Sequence, residues 1–131
     1  MSSEPVVVHE RDREWQSWPQ EQVAERGDAR WKTLISAGLT RSDSLTLGVG
    51  RLLPGEMLRA HRHEQAEVYL VLEGAAIVTI DGSAQAVGPG AAVFIAGNAV
   101  HSVESSGETA LCVAYVLAAD AFEDVEYVFG E

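Results

Sequence analysis

Short apolar runs separated by turn residues fill the chain from residue 31 onward. Nine of these runs predict β-strands, at residues 31–37, 44–53, 58–63, 67–74, 75–80, 83–87, 91–96, 101–106 and 110–118. Asp81 and Gly82 stand between two of them and are the residue types that a two-residue hairpin turn requires. Many short strands with no long helical period between them predict an all-β, antiparallel sandwich or barrel.

The first 30 residues follow a different pattern. They are mostly polar and charged and contain Trp15 and Trp18, and residues 20–27 predict a short helix that ends at Gly27. Two tryptophans in a polar segment need a surface to bury against. We therefore expect an N-terminal lead-in, residues 1–30, that packs on the outside of a single barrel domain, residues 31–131.

The C-terminal part of the chain also has to be covered. The strand at 110–118 is continuously apolar, which is typical of a strand buried on both faces. One face would line the interior, and the other would meet the lead-in or a second subunit. The tail beyond it keeps apolar side chains among acidic ones, so we expect it to fold back on the barrel.

Length and composition support one ordinary globular domain. The chain has 131 residues, 47% of them hydrophobic and 22% charged, and no apolar run is long enough to span a membrane. The charged N-terminus lacks the apolar core of a secretory signal, and the single Cys112 permits no internal disulfide. These features predict a cytoplasmic location and no membrane partner.

The net charge of −11 is unevenly distributed. All nine Lys and Arg residues lie at or before Arg62, and residues 63–131 carry eleven acids and no base. Because phosphate contact needs a basic face, this pattern argues against nucleic-acid binding and favours a small-molecule substrate. An anionic group of that substrate would be met by a metal, by backbone NH groups or by the few early cations.

The segment from Gly55 to Gly74 contains candidate metal ligands. Side chains alternate along a strand, so His61 and His63 would share one face. Residues 64–66 suit a tight reversal, after which Glu67 opens the next strand and can face the same pocket. We therefore expect one hairpin to supply three ligands to a metal site.

Four further residues are candidates for chemistry beside that site. Tyr69 lies two positions after Glu67 and is either a general base or an interior aromatic with a bonded hydroxyl. Tyr127 is a second candidate base if the tail closes over the barrel mouth, and otherwise a packing residue beside Val125 and Phe129. Arg59 has the parity of His61 and either clamps a substrate carboxylate or is exposed, and Trp31 either lines one end of the barrel or packs in the core.

The spacing of these residues resembles the cupin family. Its first motif matches Gly55, His61, His63, Glu67 and Gly74, and its second matches the segment from Gly90 to Ser105 with His101, although Ala96, Asn98 and Ser105 depart from the usual residues. Over residues 45–118 the resemblance implies a double-stranded β-helix, a jelly-roll barrel. It also implies a homodimer and one divalent metal held by His61, His63, Glu67 and His101, which suits Fe, Mn, Ni, Co, Cu or Zn without choosing among them.

Within that family, the Glu-x-Tyr pattern and the late Tyr127 resemble cupin-type dimethylsulfoniopropionate lyases. The resemblance implies a β-elimination in which Tyr69 or Tyr127 removes a proton and the sulfonium rests on an aromatic face such as Trp31. Three other functions stay open. They are an Fe(II) dioxygenase of a small thiol or aromatic compound, a metal-dependent isomerase or cyclase of a sugar or biosynthetic intermediate, and a non-enzymatic small-molecule or metal sensor.

Overall fold

The structure, a computed structural model, describes residues 4–131 and is built mainly from β-strands. In this range the strands are β1 (Gln16–Ser17), β2 (Arg30–Ile35), β3 (Thr46–Leu52), β4 (Met57–Arg62), β5 (Glu67–Glu73), β6 (Ala76–Ile80), β7 (Ser83–Val87), β8 (Ala92–Ile95), β9 (His101–Ser105), β10 (Leu111–Leu117) and β11 (Val128–Phe129). The one α-helix is α1 (Val23–Arg26), and 3-10 turns lie at Glu10–Asp12, Gln20–Gln22 and Phe122–Asp124. No helix among these residues is long and apolar enough to cross a membrane.

Two antiparallel sheets face each other across the core. The first has the strand order β1-β2-β3-β10-β5-β8, and the second has the order β11-β4-β9-β6-β7. The buried apolar side chains packed between them include Val71, Val78, Ile95, Val103, Leu111 and Leu117. The expected all-β fold is confirmed, and each of the nine predicted strands is present within a few residues of its expected bounds.

The two shortest strands were not predicted. β1 and β11 have two residues each, which is too short for an alternating pattern to be visible. β11 nevertheless holds the tail against the barrel, because Val128 and Phe129 pair with Arg62 and His61 of β4. The prediction that the tail folds back is therefore confirmed.

The prediction that one hairpin supplies three ligands is wrong. β4 belongs to the second sheet and β5 to the first, so the segment between them crosses from one sheet to the other. Neighbouring strands in sequence can pair or face each other, and local spacing does not distinguish the two arrangements. Glu67 consequently meets the histidines across the interior and not along a shared sheet.

A β-bulge interrupts β4 just before the histidines. Leu58 pairs with Val103 of β9, and His61 pairs with His101, so three steps along β4 match two steps along β9. The extra residue reverses the inward and outward alternation at that point. Leu58 and His61 both face the interior as a result, while Arg59 is exposed.

The lead-in packs along the first sheet and crosses to β4. β1 pairs with β2, and the side chain of Lys32 on β2 lies beneath Trp15, with its Nζ 4.7 Å from the ring centroid. The predicted short helix ends at Gly27, which has a φ of 103° and bridges to Leu58. Only a glycine fits there, because a Cβ would collide with the carbonyl group of Met57.

Candidate metal centre

Three histidine side chains converge inside the barrel, from two strands and the loop that follows one of them. His61 lies on β4, His101 lies opposite on β9, and His63 follows the end of β4. All three are buried, and one ring nitrogen of each lies within 4.8 Å of the others. These three histidines can hold a metal ion.

Backbone carbonyl groups fix the orientation of all three rings. The Nδ1 atoms of His61, His63 and His101 lie 2.8, 2.9 and 2.9 Å from the carbonyl oxygens of Arg59, Gln65 and Ala99, respectively. A carbonyl oxygen can only accept, so each Nδ1 carries the proton and donates it. In a neutral ring the lone pair is then on Nε2, the atom available to bind a metal.

The fit of the donor set to a cation is clearest at His63 and Glu67. The Nε2 atom of His63 lies 3.2 Å from Oε1 of Glu67, although Nδ1 of the same ring already donates to Gln65. Both contacts are favourable only if the ring carries two protons or a cation lies between Nε2 and the carboxylate. The Nε2 atom of His101 is 3.4 Å from the same oxygen and makes no hydrogen bond with any described residue. Buried nitrogen and carboxylate donors that face one another suit a divalent transition metal.

Burial determines how these groups ionise. It lowers the pKa of His61 to about 3, with a further contribution from the neighbouring His101, so this ring stays neutral and keeps its lone pair at neutral pH. Burial alone would raise the pKa of Glu67, but the contacts from His101 and His63 outweigh it and hold that pKa below its ordinary value. The carboxylate therefore remains charged opposite the nitrogens.

The loop between β8 and β9 joins the two histidine-bearing segments. The backbone N–H of Asn98 donates to the carbonyl oxygen of His63 at 2.7 Å, and Asn98 adopts a φ of 63°. Asparagine tolerates this left-handed conformation better than most residues, so it can replace the glycine that is usual at this position of the motif. The departure at residue 98 therefore leaves the loop geometry intact.

Both candidate tyrosines lie beside the histidines, at different distances. The ring of Tyr127 is 5.3 Å from the ring of His61, stacked on it, and 5.3 Å from that of His63. Tyr69 is farther away, with its ring 6.4 Å from that of His101. Burial, followed by the charge of Glu67, raises the pKa of both phenols well above 10, so each phenol is neutral unless a positive charge lies close to it.

A cavity of about 80 Å³ adjoins the histidines at the centre of the barrel. Its wall is mostly aromatic and apolar, Glu67 and His61 lie at the metal end, and Arg30 and Arg51 also belong to the lining. The aromatic side chains around it include Trp18, Trp31, Tyr69, Phe122 and Tyr127. Such a wall can bind an apolar group or, through the faces of the rings, an organic cation.

Two of the remaining candidates have different locations. Trp31 lines the cavity, where its ring is 4.6 Å from Trp18 and 6.1 Å from Phe122. Arg59 does not reach the site, because the bulge turns it to the outer surface, where it lines a groove with Glu25 and Ser102. Arg59 is thus not placed to clamp a substrate beside the histidines.

Sequence reasoning missed Trp18 and Phe122 as parts of the cavity. Both are remote in sequence from the histidines, and no strand periodicity includes them. The one signal for Trp18 was that a tryptophan in a polar segment must bury its ring somewhere. That argument predicts packing but not the surface on which the packing occurs.

Comparison with known proteins identifies the family. The Cupin domain family matches residues 48–117, so the chain belongs to the cupins and its two facing sheets form a cupin barrel. It is 42% identical over 103 residues to "Dimethylsulfoniopropionate lyase DddW" of Ruegeria pomeroyi. The aligned region covers 79% of this chain and 67% of that protein.

Solved structures support the same fold. A cupin-2 domain from Rhodospirillum rubrum superposes with a TM-score of 0.77 at 18% identity, over 100% of this chain and 84% of that one. The polyketide cyclase RemF from Streptomyces resistomycificus gives a TM-score of 0.75 at 23% identity, over 98% and 88% of the two chains. At these identities the likeness establishes the fold and not the reaction.

Proposed function

We propose that this protein is a metal-dependent lyase that eliminates a neutral sulfide from a small sulfonium carboxylate such as dimethylsulfoniopropionate. The observation that carries the proposal is the aromatic cavity beside three histidines that can hold a metal ion, in a chain 42% identical to a dimethylsulfoniopropionate lyase. A substrate with a carboxylate at one end and an onium group at the other matches these two adjoining environments.

The two ends of the substrate would be held differently. The face of Trp31 would attract the sulfonium, because aromatic rings are electron-rich on their faces. A divalent metal held by the histidines would supply a Lewis acid that binds the carboxylate and raises the acidity of the adjacent C–H group. The mostly apolar wall would keep bulk water away from the reacting carbon.

Tyr127 is the better placed of the two candidate bases. Its ring contacts those of His61 and His63, whereas Tyr69 contacts only that of His101 among the three. The phenolate oxygen would accept the proton from the carbon next to the carboxylate. The C–H electron pair then forms the carbon–carbon double bond, and the C–S bond breaks with its electrons leaving on sulfur. The products are acrylate and dimethyl sulfide.

The reaction can be tested with protein reconstituted with Fe(II), Mn(II), Ni(II), Co(II), Cu(II) or Zn(II). Headspace chromatography would measure dimethyl sulfide, and proton NMR would measure acrylate, with and without oxygen. Formation of both products without oxygen supports the lyase. Turnover that requires oxygen would instead favour a dioxygenase, and no product with any of the metals would contradict the proposal.

The tyrosine assignment predicts a specific loss. Tyr127→Phe should keep the metal but lower kcat about a hundredfold, since it removes a general base. Tyr69→Phe should cost less, and Tyr115→Phe measures the effect of removing a hydroxyl from a tyrosine that also lines the cavity and packs on Phe122. Unchanged turnover in Tyr127→Phe, with a large loss in Tyr69→Phe, would transfer the role to Tyr69.

A further inference from the structure

The last part of the tail, residues 123–131, carries Tyr127 and has few backbone contacts with the barrel, whereas residues 118–122 before it are hydrogen-bonded to the barrel at several positions. β11 pairs with β4 over two residues only, and the N–H of Gly130 adds one bond, 2.9 Å, to the carbonyl oxygen of Ala60. Before Tyr127, the side chain of Gln65 reaches the carbonyl oxygen of Asp124 at 3.5 Å, a long hydrogen bond. The position of the tyrosine ring therefore depends on side-chain packing.

Part of that packing comes from the lead-in, at the far end of the chain, and part from Phe122, whose ring lies 6.1 Å from that of Tyr127. The guanidinium carbon of Arg26 lies 4.8 Å from the ring centroid of Trp18 and 4.9 Å from that of Phe129, within the range of cation–π attraction. The two rings are 5.8 Å apart and nearly perpendicular. Trp18 also meets the ring of Tyr127 edge to face at 5.8 Å. We call Arg26, Trp18 and Phe129 the aromatic clamp.

The clamp is anchored to β4, the strand that carries His61. Arg26 ends α1, and the following Gly27 bridges to Leu58 on β4. The N–H of Asp28 adds a 2.9 Å bond to the carbonyl oxygen of Met57. Arg26 and Phe129 thus lie along the same edge of β4, opposite β9, because Gly27 bridges to Leu58 there and Phe129 pairs with His61.

We propose that Arg26 and Trp18 are positioning residues that hold Tyr127 against the histidine rings. Trp18 touches Tyr127, and Arg26 joins Trp18 to Phe129, two residues after the tyrosine. The effect of this position on turnover rests on the proposed function, in which Tyr127 is the base. The position itself does not.

Proteolysis tests the clamp without any substrate. Glu126 lies immediately before Tyr127, so a glutamyl endopeptidase reports how often this part of the tail detaches. Arg26→Gln, which removes the charge but keeps much of the length, should raise the rate of cleavage after Glu126 about fivefold, and Arg26→Lys should restore much of the protection. Arg41→Gln, at an exposed loop arginine, is the matched control and should cleave as the wild type does.

Kinetics test the consequence for the reaction. In metal-loaded protein, Arg26→Gln should lower kcat about fivefold at unchanged metal content, with a smaller effect on KM, and Arg26→Lys should recover most of the loss. Equal cleavage of Arg26→Gln and wild type would overturn the clamp. Faster cleavage with unchanged kcat would overturn its positioning role. A wild type without lyase activity would overturn the proposed function alone, and the cleavage rates would still decide the clamp.

Discussion

At the scale of single residues, the histidine rings are oriented before any metal arrives. Each Nδ1 donates a hydrogen bond to a carbonyl oxygen two residues away in sequence, which directs each Nε2 inward. The rings therefore need little further ordering when the metal binds. The geometry depends on the backbone and not on other side chains. Removal of one ring should therefore leave the other two in place.

Replacement of one histidine should consequently separate metal binding from folding. His101→Ala, or His63→Ala, should lower bound metal from about one per chain to near zero, while the thermal transition of the metal-free protein moves by only a few degrees. Elemental analysis and circular dichroism measure the two effects. Full metal content in His101→Ala would show that His101 is not a metal ligand.

The pKa of His61 predicts how the metal-free protein responds to acid. The folded-state pKa, about 3, lies below the ordinary 6.5, so protons bind more tightly to the unfolded chain between these values. The contribution of His61 to stability is complete above pH 6.5 and is lost as the pH falls, at up to about 1.4 kcal/mol per pH unit. Glu67 acts in the same direction below its ordinary pKa, since its folded-state pKa is also lowered.

Urea titrations of chelator-treated protein at pH 7.5, 6.0 and 5.0 measure this loss. The free energy of unfolding should fall at each step, and the fall should be smaller in His61→Gln, which has no group to titrate at this position. The same free energy at pH 7.5 and 5.0 in the wild type would contradict the prediction.

At the scale of elements, local pattern and long-range pairing contribute differently to what sequence predicts. The strands and the Asp81-Gly82 turn followed from local rules, and the turn has the expected positive φ angles, 47° and 85°. The bulge at Leu58 did not, because an extra residue in β4 is defined only against its partner β9. The expected shared parity of Arg59 and His61 failed for that reason, although exposure of Arg59 was one of its two expected positions. The single hairpin failed because sheet membership is also a long-range property.

The close contact between the lead-in and β4 predicts how a substitution at Gly27 changes the stability of the protein. Gly27→Ala should destabilise the protein by about 2 to 4 kcal/mol, because its Cβ would meet the carbonyl group of Met57 in addition to the strain of a positive φ. Gly38→Ala is the matched control. It has a similar φ of 89° with open space around its Cβ, so it should cost only about 1 kcal/mol. Chemical denaturation measures both, and equal losses would show that the close contact with Met57 is unimportant.

At the scale of the whole molecule, the outer face of the first sheet is divided into two parts. The lead-in covers the β2 side, where Lys32 lies beneath Trp15. The other part, which we call the open face, consists of β10, β5 and β8. Its outward side chains are mostly apolar and include Val68, Leu70, Leu72, Phe94, Ala114 and Val116, with Phe94 66% exposed. The exposed Glu73 lies at the end of β5, opposite Cys112. The outer face of the second sheet is polar by comparison, with Arg59, Ser102 and Glu104 on it.

We infer that a second copy of this chain covers the open face, as the expected homodimer requires. Two copies that each carry a charge of −11 repel one another, and the repulsion is smallest where the contact surface bears few charges. A two-fold axis would place the same apolar strands opposite each other. The exposed parts of the four large side chains amount to on the order of 400 Å², about half of the ~800 Å² that a stable dimer buries per subunit, and the flanking residues can supply the rest.

A single charge at the centre of the open face should separate the two subunits. The wild type should elute at twice the 14.1 kDa chain mass in light-scattering chromatography, and Leu70→Lys should elute as a monomer with unchanged metal content. Leu39→Lys, at a comparably exposed leucine in the turn after β2, should remain dimeric and controls for the added charge. If the wild type is a monomer at high concentration, the inferred homodimer is wrong. If Leu70→Lys remains a dimer, the interface lies on another surface. Because Val68 and Leu70 lie on the strand that begins with Glu67, a dimer formed here would also stabilise the strand that faces the histidines.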